Sequence, residues 1–190
     1  MFNKLAIEIT NYMETTNTIQ SEEREIYLFG IKQVLFMLLG FFTMLLIGLL
    51  FRAFFYTVIF ASAFIPLRSF AGGYHAQTQL RCYFASIAMT VFVAVMYLEV
   101  SLSNSVMVVL LLVFGTLIIA LSPIGSANKP LDNLEKRVYK RKTLQICIAE
   151  IFIALVFILL RIQFITVGIF WALMMILVLQ ILEKLIGKKA

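Results

Sequence analysis

QVLFMLLGFFTMLLIGLLFRAFFYTVIFASAFIPL, running from Gln33 to Leu67, holds a single charged residue, Arg52. A helix that is apolar on every face cannot lie on the surface of a soluble domain, whereas a membrane span requires it, using about 20 residues to cross the hydrocarbon. The rest of the chain has the same character. Across 190 residues 62% are hydrophobic and 14% charged, with a mean hydropathy of +0.99. That leaves too little polar side chain to clothe a water-soluble domain. The expected fold is all-α: a polytopic integral membrane protein forming one domain over residues 1–190.

Apolar runs at 33–51, 53–67, 83–98, 105–121, 143–160 and 164–182 give about six transmembrane helices. Between the first two, only Gly48 and Arg52 are available to mark a turn. The second, about 15 residues or roughly 22 Å as a helix, ends near Pro66, so it is either a short span or a re-entrant half-span. Lysines and arginines mark the cytoplasmic side. They gather in a predicted loop, 122–142, at Lys129, Lys136, Arg137, Lys140, Arg141 and Lys142, and again at Lys184, Lys188 and Lys189 in the tail. An even number of crossings separates the two. Counting backwards puts the N-terminus and residues 68–82 on the same side, with Arg52 and Arg161 facing outward.

Residues 1–32 read as an interfacial segment. Phe2, Leu5, Ile9, Tyr12 and Met13 recur at helical spacing opposite Asn3, Lys4, Glu8, Asn11 and Glu14, the pattern of an amphipathic helix lying on a bilayer. A second segment begins near Ser21, with Glu22, Glu23 and Glu25 where a helix dipole favours anions. No charged n-region, apolar h-region and small-residue site occur in that order, so no cleavable signal peptide is expected. Cys82 and Cys147 are read as free thiols, since both fall near the reducing cytoplasmic face.

Chemistry concentrates in residues 68–82, where two arginines, a glycine pair, two glutamines, the only histidine and a cysteine interrupt the apolar sequence. Polar groups at membrane depth are costly and mark function by default. A thiol nucleophile with an imidazole base is one reason to keep them. In one straight helix His75 and Cys82 would share a face but sit roughly 10.5 Å apart along the axis. Gly72 and Gly73 allow the chain to fold back instead. A looped segment leading into a helix that carries Cys82 is therefore expected. Arg68, Arg81 and a helix N-terminus favour the thiolate form of a nearby thiol, and amides near the glycine pair could serve as oxyanion donors. The ordinary reading of the same residues is a small packed cysteine and an interfacial histidine. One histidine and two distant cysteines make a poor zinc site, so no metal is expected. No cofactor and no nucleic-acid partner are expected either.

The run Arg68-Ser-Phe-Ala-Gly-Gly-Tyr-His75, then Arg81-Cys82, then Asn128-Lys129-Pro130-Leu131 before a basic helix start, resembles the accessory gene regulator B family of membrane endopeptidases in Gram-positive quorum sensing. The similarity extends over nearly the whole chain. It implies a cysteine peptidase at the cytoplasmic face of the bacterial cell membrane. The enzyme would remove the C-terminal tail of a short amphipathic AgrD-like precursor peptide. By analogy Cys82 is the nucleophile and His75 its base and acid; the acyl group is held on Cys82 as a thioester, then captured by a precursor cysteine or serine to close a thiolactone or lactone.

Arg68, Gly72, Gly73, Gln77 and Lys129 are the expected supporting or substrate-binding residues, and Gln79 could orient His75 or hold peptide backbone. The basic cluster is first a topology signal and a ladder for anionic lipids, and second a means of attracting an acidic precursor tail. Cys147 reads as packing, and Glu150 as an intramembrane acid in need of a partner. A homodimer is expected. The rivals are a noncatalytic transporter or export component for a small peptide, with the 68–82 loop lining its path, and a scaffold without chemistry.

Overall fold

The computed structural model describes residues 2–74, 78–100, 102–125 and 131–186. Within them lie seven α-helices: α1 (Phe2–Thr15), α2 (Arg24–Leu50), α3 (Phe54–Ala71), α4 (Gln79–Glu99), α5 (Asn104–Leu121), α6 (Asn133–Leu159) and α7 (Gln163–Ile186), with a 3-10 turn at Ser21–Glu23 leading into α2. Six of them, α2 to α7, are long and apolar enough to cross a membrane. The protein is an all-α polytopic membrane protein. Leu38, Phe42, Leu49, Phe55, Phe84, Val109 and Phe152 are among the many large apolar side chains left exposed, as a bilayer-facing surface requires.

α7 is the central post, with α3, α5 and α6 packed around it. Phe60 and Leu67 of α3, Leu111 and Ile118 of α5, and Leu173 and Ile176 of α7 are fully buried there. Lipid gives helices no hydrophobic reason to associate, so they rely on small residues that admit close approach. Gly168 lies against Ile59 and Gly48 against Thr57 so tightly that any side chain would collide. A second group flanks this core: α2 packs on α1, α3 and α4, while α4 touches α3 and α7 only lightly.

The first two apolar runs form complete helices. A tight turn divides them, with Arg52 at φ 54 and the Ala53 amide donating to the Gly48 carbonyl at 2.7 Å. Pro66 does not end α3, which continues to Ala71. The ring removes one ladder bond and the surrounding helix tolerates the loss. With 18 residues, α3 is about 27 Å long, close to the hydrocarbon thickness.

One boundary and one helix face also differ from expectation. The predicted basic loop, 122–142, is shorter than expected because α6 starts at Asn133. The Asp132 carboxylate accepts from the Glu135 amide at 2.6 Å and the Glu135 carboxylate from the Asp132 amide at 3.2 Å. This capping box satisfies two backbone donors and sets the helix start. Lys136, Arg137, Lys140, Arg141 and Lys142 therefore stand exposed on helix rather than loop. In α1 the face turned inward centres on Ala6 and Thr10, both fully buried, while Leu5 and Tyr12 remain exposed. The helix is docked on α2 by that face and fastened through Arg24, which pairs with Glu14 at 3.2 Å and donates to Asn11 at 2.8 Å.

Candidate active site

α3 ends where Gly72 turns out of the helix at φ 75, ψ −163, a region open essentially to glycine alone. Gly73 follows at φ 123. Both positions are also pressed against backbone: a side chain on Gly72 would overlap the Ile124 carbonyl, and one on Gly73 would meet Leu179 and Gln180 of α7. The turn is fastened on three sides. The Ile124 amide donates to the Ala71 carbonyl at 3.0 Å and the Tyr74 amide to the Leu179 carbonyl at 2.9 Å. Gln180, fully buried, donates through Nε2 to the Ala71 carbonyl at 3.2 Å and to the Ser122 hydroxyl at 2.8 Å. Arg68, in the last turn of α3, donates through Nη2 to the carbonyls of Gly73, at 3.1 Å, and Tyr74.

α4 then begins at Gln79. The Thr78 hydroxyl caps it by accepting from the Arg81 amide at 3.3 Å, leaving Cys82 in the first turn, exposed and with a free thiol. Two hydrogen bonds tie this end of α4 to α2: Gln79 donates to Gln33 at 3.0 Å, and the Tyr83 and Thr43 hydroxyls meet at 3.0 Å. Cys82 lines two hollows at once. One, of about 330 Å³, lies between α3, α4 and α7 and is walled by Phe64, Arg68, Tyr74, Ser86, Met89, Met175 and Leu179. The other, of about 190 Å³, lies towards α2 among Gln33, Met37, Phe41, Gln79 and Tyr83. Arg68 is near enough to Cys82 and Glu183 to interact electrostatically with both. The fold thus sets a thiol, a guanidinium and a pinned glycine turn around one apolar chamber.

This constellation lies inside a longer match, in which residues 6–182 fit the family described as Accessory gene regulator B. The chain belongs to the accessory gene regulator B family. Accessory gene regulator protein B of Staphylococcus carnosus (strain TM300) is 30% identical over 111 residues, which make up 58% of this chain. The match spans 57% of that relative's length. No solved structure matches the chain.

Of the residues singled out from the sequence of this accessory gene regulator B chain, the structure brings Arg68, Gly72, Gly73 and Cys82 together. His75, Gln77 and Lys129 lie outside the described residues. Two expectations change. The Gly72 amide donates to the Arg68 carbonyl at 3.3 Å as the helix cap, so it is not a free oxyanion donor. Gln79 is engaged with Gln33, bracing α4 rather than offering a backbone clamp. Cys147 is fully buried, its Sγ 3.8 Å from the Gly115 carbonyl, and serves packing. Glu150 is buried, and its Oε2 meets no hydrogen-bond partner among the described residues. No group of three or more His, Cys, Asp or Glu side chains that could hold a metal occurs among the described residues.

Sequence reasoning missed Gln180 and Ser122, which hold the turn, and Tyr74, Met89 and Met175, which wall the chamber. Gln180 carried a legible signal: it is a lone amide inside the apolar run Ile176-Leu-Val-Leu-Gln-Ile-Leu182, and a polar side chain at that depth needs a partner. The chamber residues carried none, because a methionine that lines a pocket and one that faces lipid look alike in sequence.

Proposed function

We propose that this protein is a membrane cysteine endopeptidase of quorum-sensing peptide maturation, acting at the cytoplasmic face on an amphipathic, AgrD-like precursor. The observation that carries the reading is the position of Cys82. Its thiol is exposed in the first turn of α4, beside Arg68, at the edge of a chamber large enough for substrate. The family match supports the same substrate class.

In the reaction, Cys82 Sγ attacks the scissile carbonyl and His75 accepts the thiol proton. As the C–N bond breaks, His75 returns that proton to the leaving amine, and the acidic tail departs. The remaining peptide is held as a thioester. An internal cysteine or serine of the precursor then attacks the same carbonyl, the C–S bond to Cys82 breaks, and the thiol is regenerated with the ring closed as thiolactone or lactone. Exchange of one thioester for another is nearly balanced in energy, so the outcome rests on excluding water, which the apolar walls of the chamber promote. Arg68 contributes a fixed positive charge near the reacting sulfur and holds the turn, Gly73–Tyr74, that leads to His75. The exposed cations of α6 draw both anionic headgroups and an acidic tail.

Intact mass spectrometry of the protein in lipid with its precursor tests the reading. Wild type should gain a hydroxylamine-labile mass equal to the peptide without its tail, and Cys82→Ala should gain none. His75→Ala should slow the gain at least a hundredfold, the lower end of what a positioned base contributes. A precursor that binds but is neither cleaved nor attached would return the protein to the class of peptide transporters.

A further inference from the structure

If Cys82 is the nucleophile, as proposed above, the residue whose carbonyl it captures must place its side chain within a few ångströms of Sγ. Of the two hollows that Cys82 lines, the larger is the chamber between α3, α4 and α7, and it is the one bordered by Arg68 and by Tyr74 of the glycine turn. Its polar groups are largely engaged: Ser86 donates to the Cys82 carbonyl at 3.0 Å, and Arg68 donates to the carbonyls of Gly73 and Tyr74. The remaining wall, Phe64, Met89, Met175 and Leu179, is apolar, and a charged side chain buried against it would lack a partner. The volume, about 330 Å³, is generous, since a cavity of ~150 Å³ already accepts benzene. The chamber also opens sideways. Ala85 on α4 and Val178 on α7 both line it and are both exposed, and these two helices touch only lightly. An occupant can arrive from the bilayer side without crossing water.

We propose that this chamber is the acyl subsite: it receives one large apolar side chain, that of the residue joined to Cys82, through the gap between α4 and α7. Met89 and Met175 set the size accepted. Their unbranched, flexible side chains let the wall fit aromatic and aliphatic groups alike.

The test uses the full chain in lipid vesicles and a set of acetyl-glycyl-X benzyl thioesters with X as Leu, Phe, Ala or Asp. Cys82 Sγ attacks the thioester carbonyl, the bond to the benzyl sulfur breaks, and benzyl mercaptan leaves with the proton from Cys82. The acyl-enzyme is followed by intact mass. Wild type should react with the Leu and Phe probes at least tenfold faster than with Ala or Asp. Met175→Trp should fill the chamber and move the preference to Ala by tenfold or more. Val178→Phe, at the exposed mouth, should slow the large probes in the same way if Met175→Trp fails to insert. Equal rates for all four probes in wild type, with Cys82→Ala unreactive, would overturn the subsite and leave the nucleophile standing. A fastest reaction with Asp would also overturn it, in favour of Arg68 recognising an anion. Acylation of Cys82→Ala at the wild-type rate would instead remove the nucleophile, and the subsite with it.

Discussion

The two sides of the chamber are held in opposite ways. On one side, the turn from Ala71 to Tyr74 is anchored to α7 by Leu179 and Gln180, to the segment after α5 by Ser122 and Ile124, and to its own helix by Arg68. On the other, the first turn of α4 is fastened mainly to α2, through two partly exposed hydrogen bonds, and meets α3 and α7 only lightly. The proposed reaction, which must admit an oily peptide and then hold its carbonyl, would benefit from that asymmetry. The turn-side wall is part of the protein's core. The helix carrying the thiol belongs to a separate layer, where a gap towards lipid costs little packing. Changes on the turn side should therefore damage fold and chemistry together, whereas changes on the α4 side should touch chemistry with little loss of stability.

The largest effect should come from Gly72→Ala. The conformation at Gly72 is essentially restricted to glycine, at about 1–3 kcal/mol for any other residue, and the added methyl would also overlap the Ile124 carbonyl. The turn must then move away from Ser122 and Gln180. Acyl-thioester formation should fall below detection, and the detergent-solubilised protein should melt several degrees lower. Wild-type activity in Gly72→Ala would mean that the turn does not shape the site. Gln180→Leu comes next. It keeps the volume but removes both Nε2 bonds from a buried position, at about 1–3 kcal/mol, and should slow acylation roughly tenfold or more. Reaction of Cys82 with iodoacetamide should be unchanged, because α4 is not held by Gln180. Parallel loss of both rates would erase the proposed division between the two sides.

Much of this could be read in the sequence, for a physical reason. Six apolar runs of spanning length can be satisfied in lipid only by spanning helices, so fold class and the number of spans follow from the length and spacing of those runs. Cys82, Arg68 and the glycine pair stood out because polar and flexible residues are costly where they occur. The errors fell where local signals compete. Pro66 suggested a helix end, but neighbouring helices support α3 through it. The charges after Lys136 suggested a loop, although Asp132 and Glu135, three residues apart, carried the capping signal for a helix start. What no periodicity could show is the bracing of the turn, since Gln180 meets Ala71 across 109 residues of chain. Such a contact is a property of how helices are arranged, and the arrangement is not encoded in any single helix.

The smallest expected effect sharpens the contrast most. Gln79→Ala removes the hydrogen bond to Gln33 but keeps Thr78 as the cap of α4 and leaves the Tyr83–Thr43 contact in place. A partly exposed neutral hydrogen bond contributes about 0.5–1.5 kcal/mol, and the second tie should absorb part of its loss. The melting temperature should therefore move by no more than one or two degrees. The acylation rate should change by less than threefold, in either direction, because the thiol end of α4 gains freedom to approach or leave the turn. Adding Tyr83→Phe should produce more than the sum of the two single changes, since together they release the end of α4 from α2, and neighbouring sites that share a load are not additive. If the double variant remains as active and as stable as Gln79→Ala alone, the tie to α2 is incidental. The position of Cys82 would then be set by the side-chain packing of α4 on α2, with no part played by the hydrogen bonds at its end.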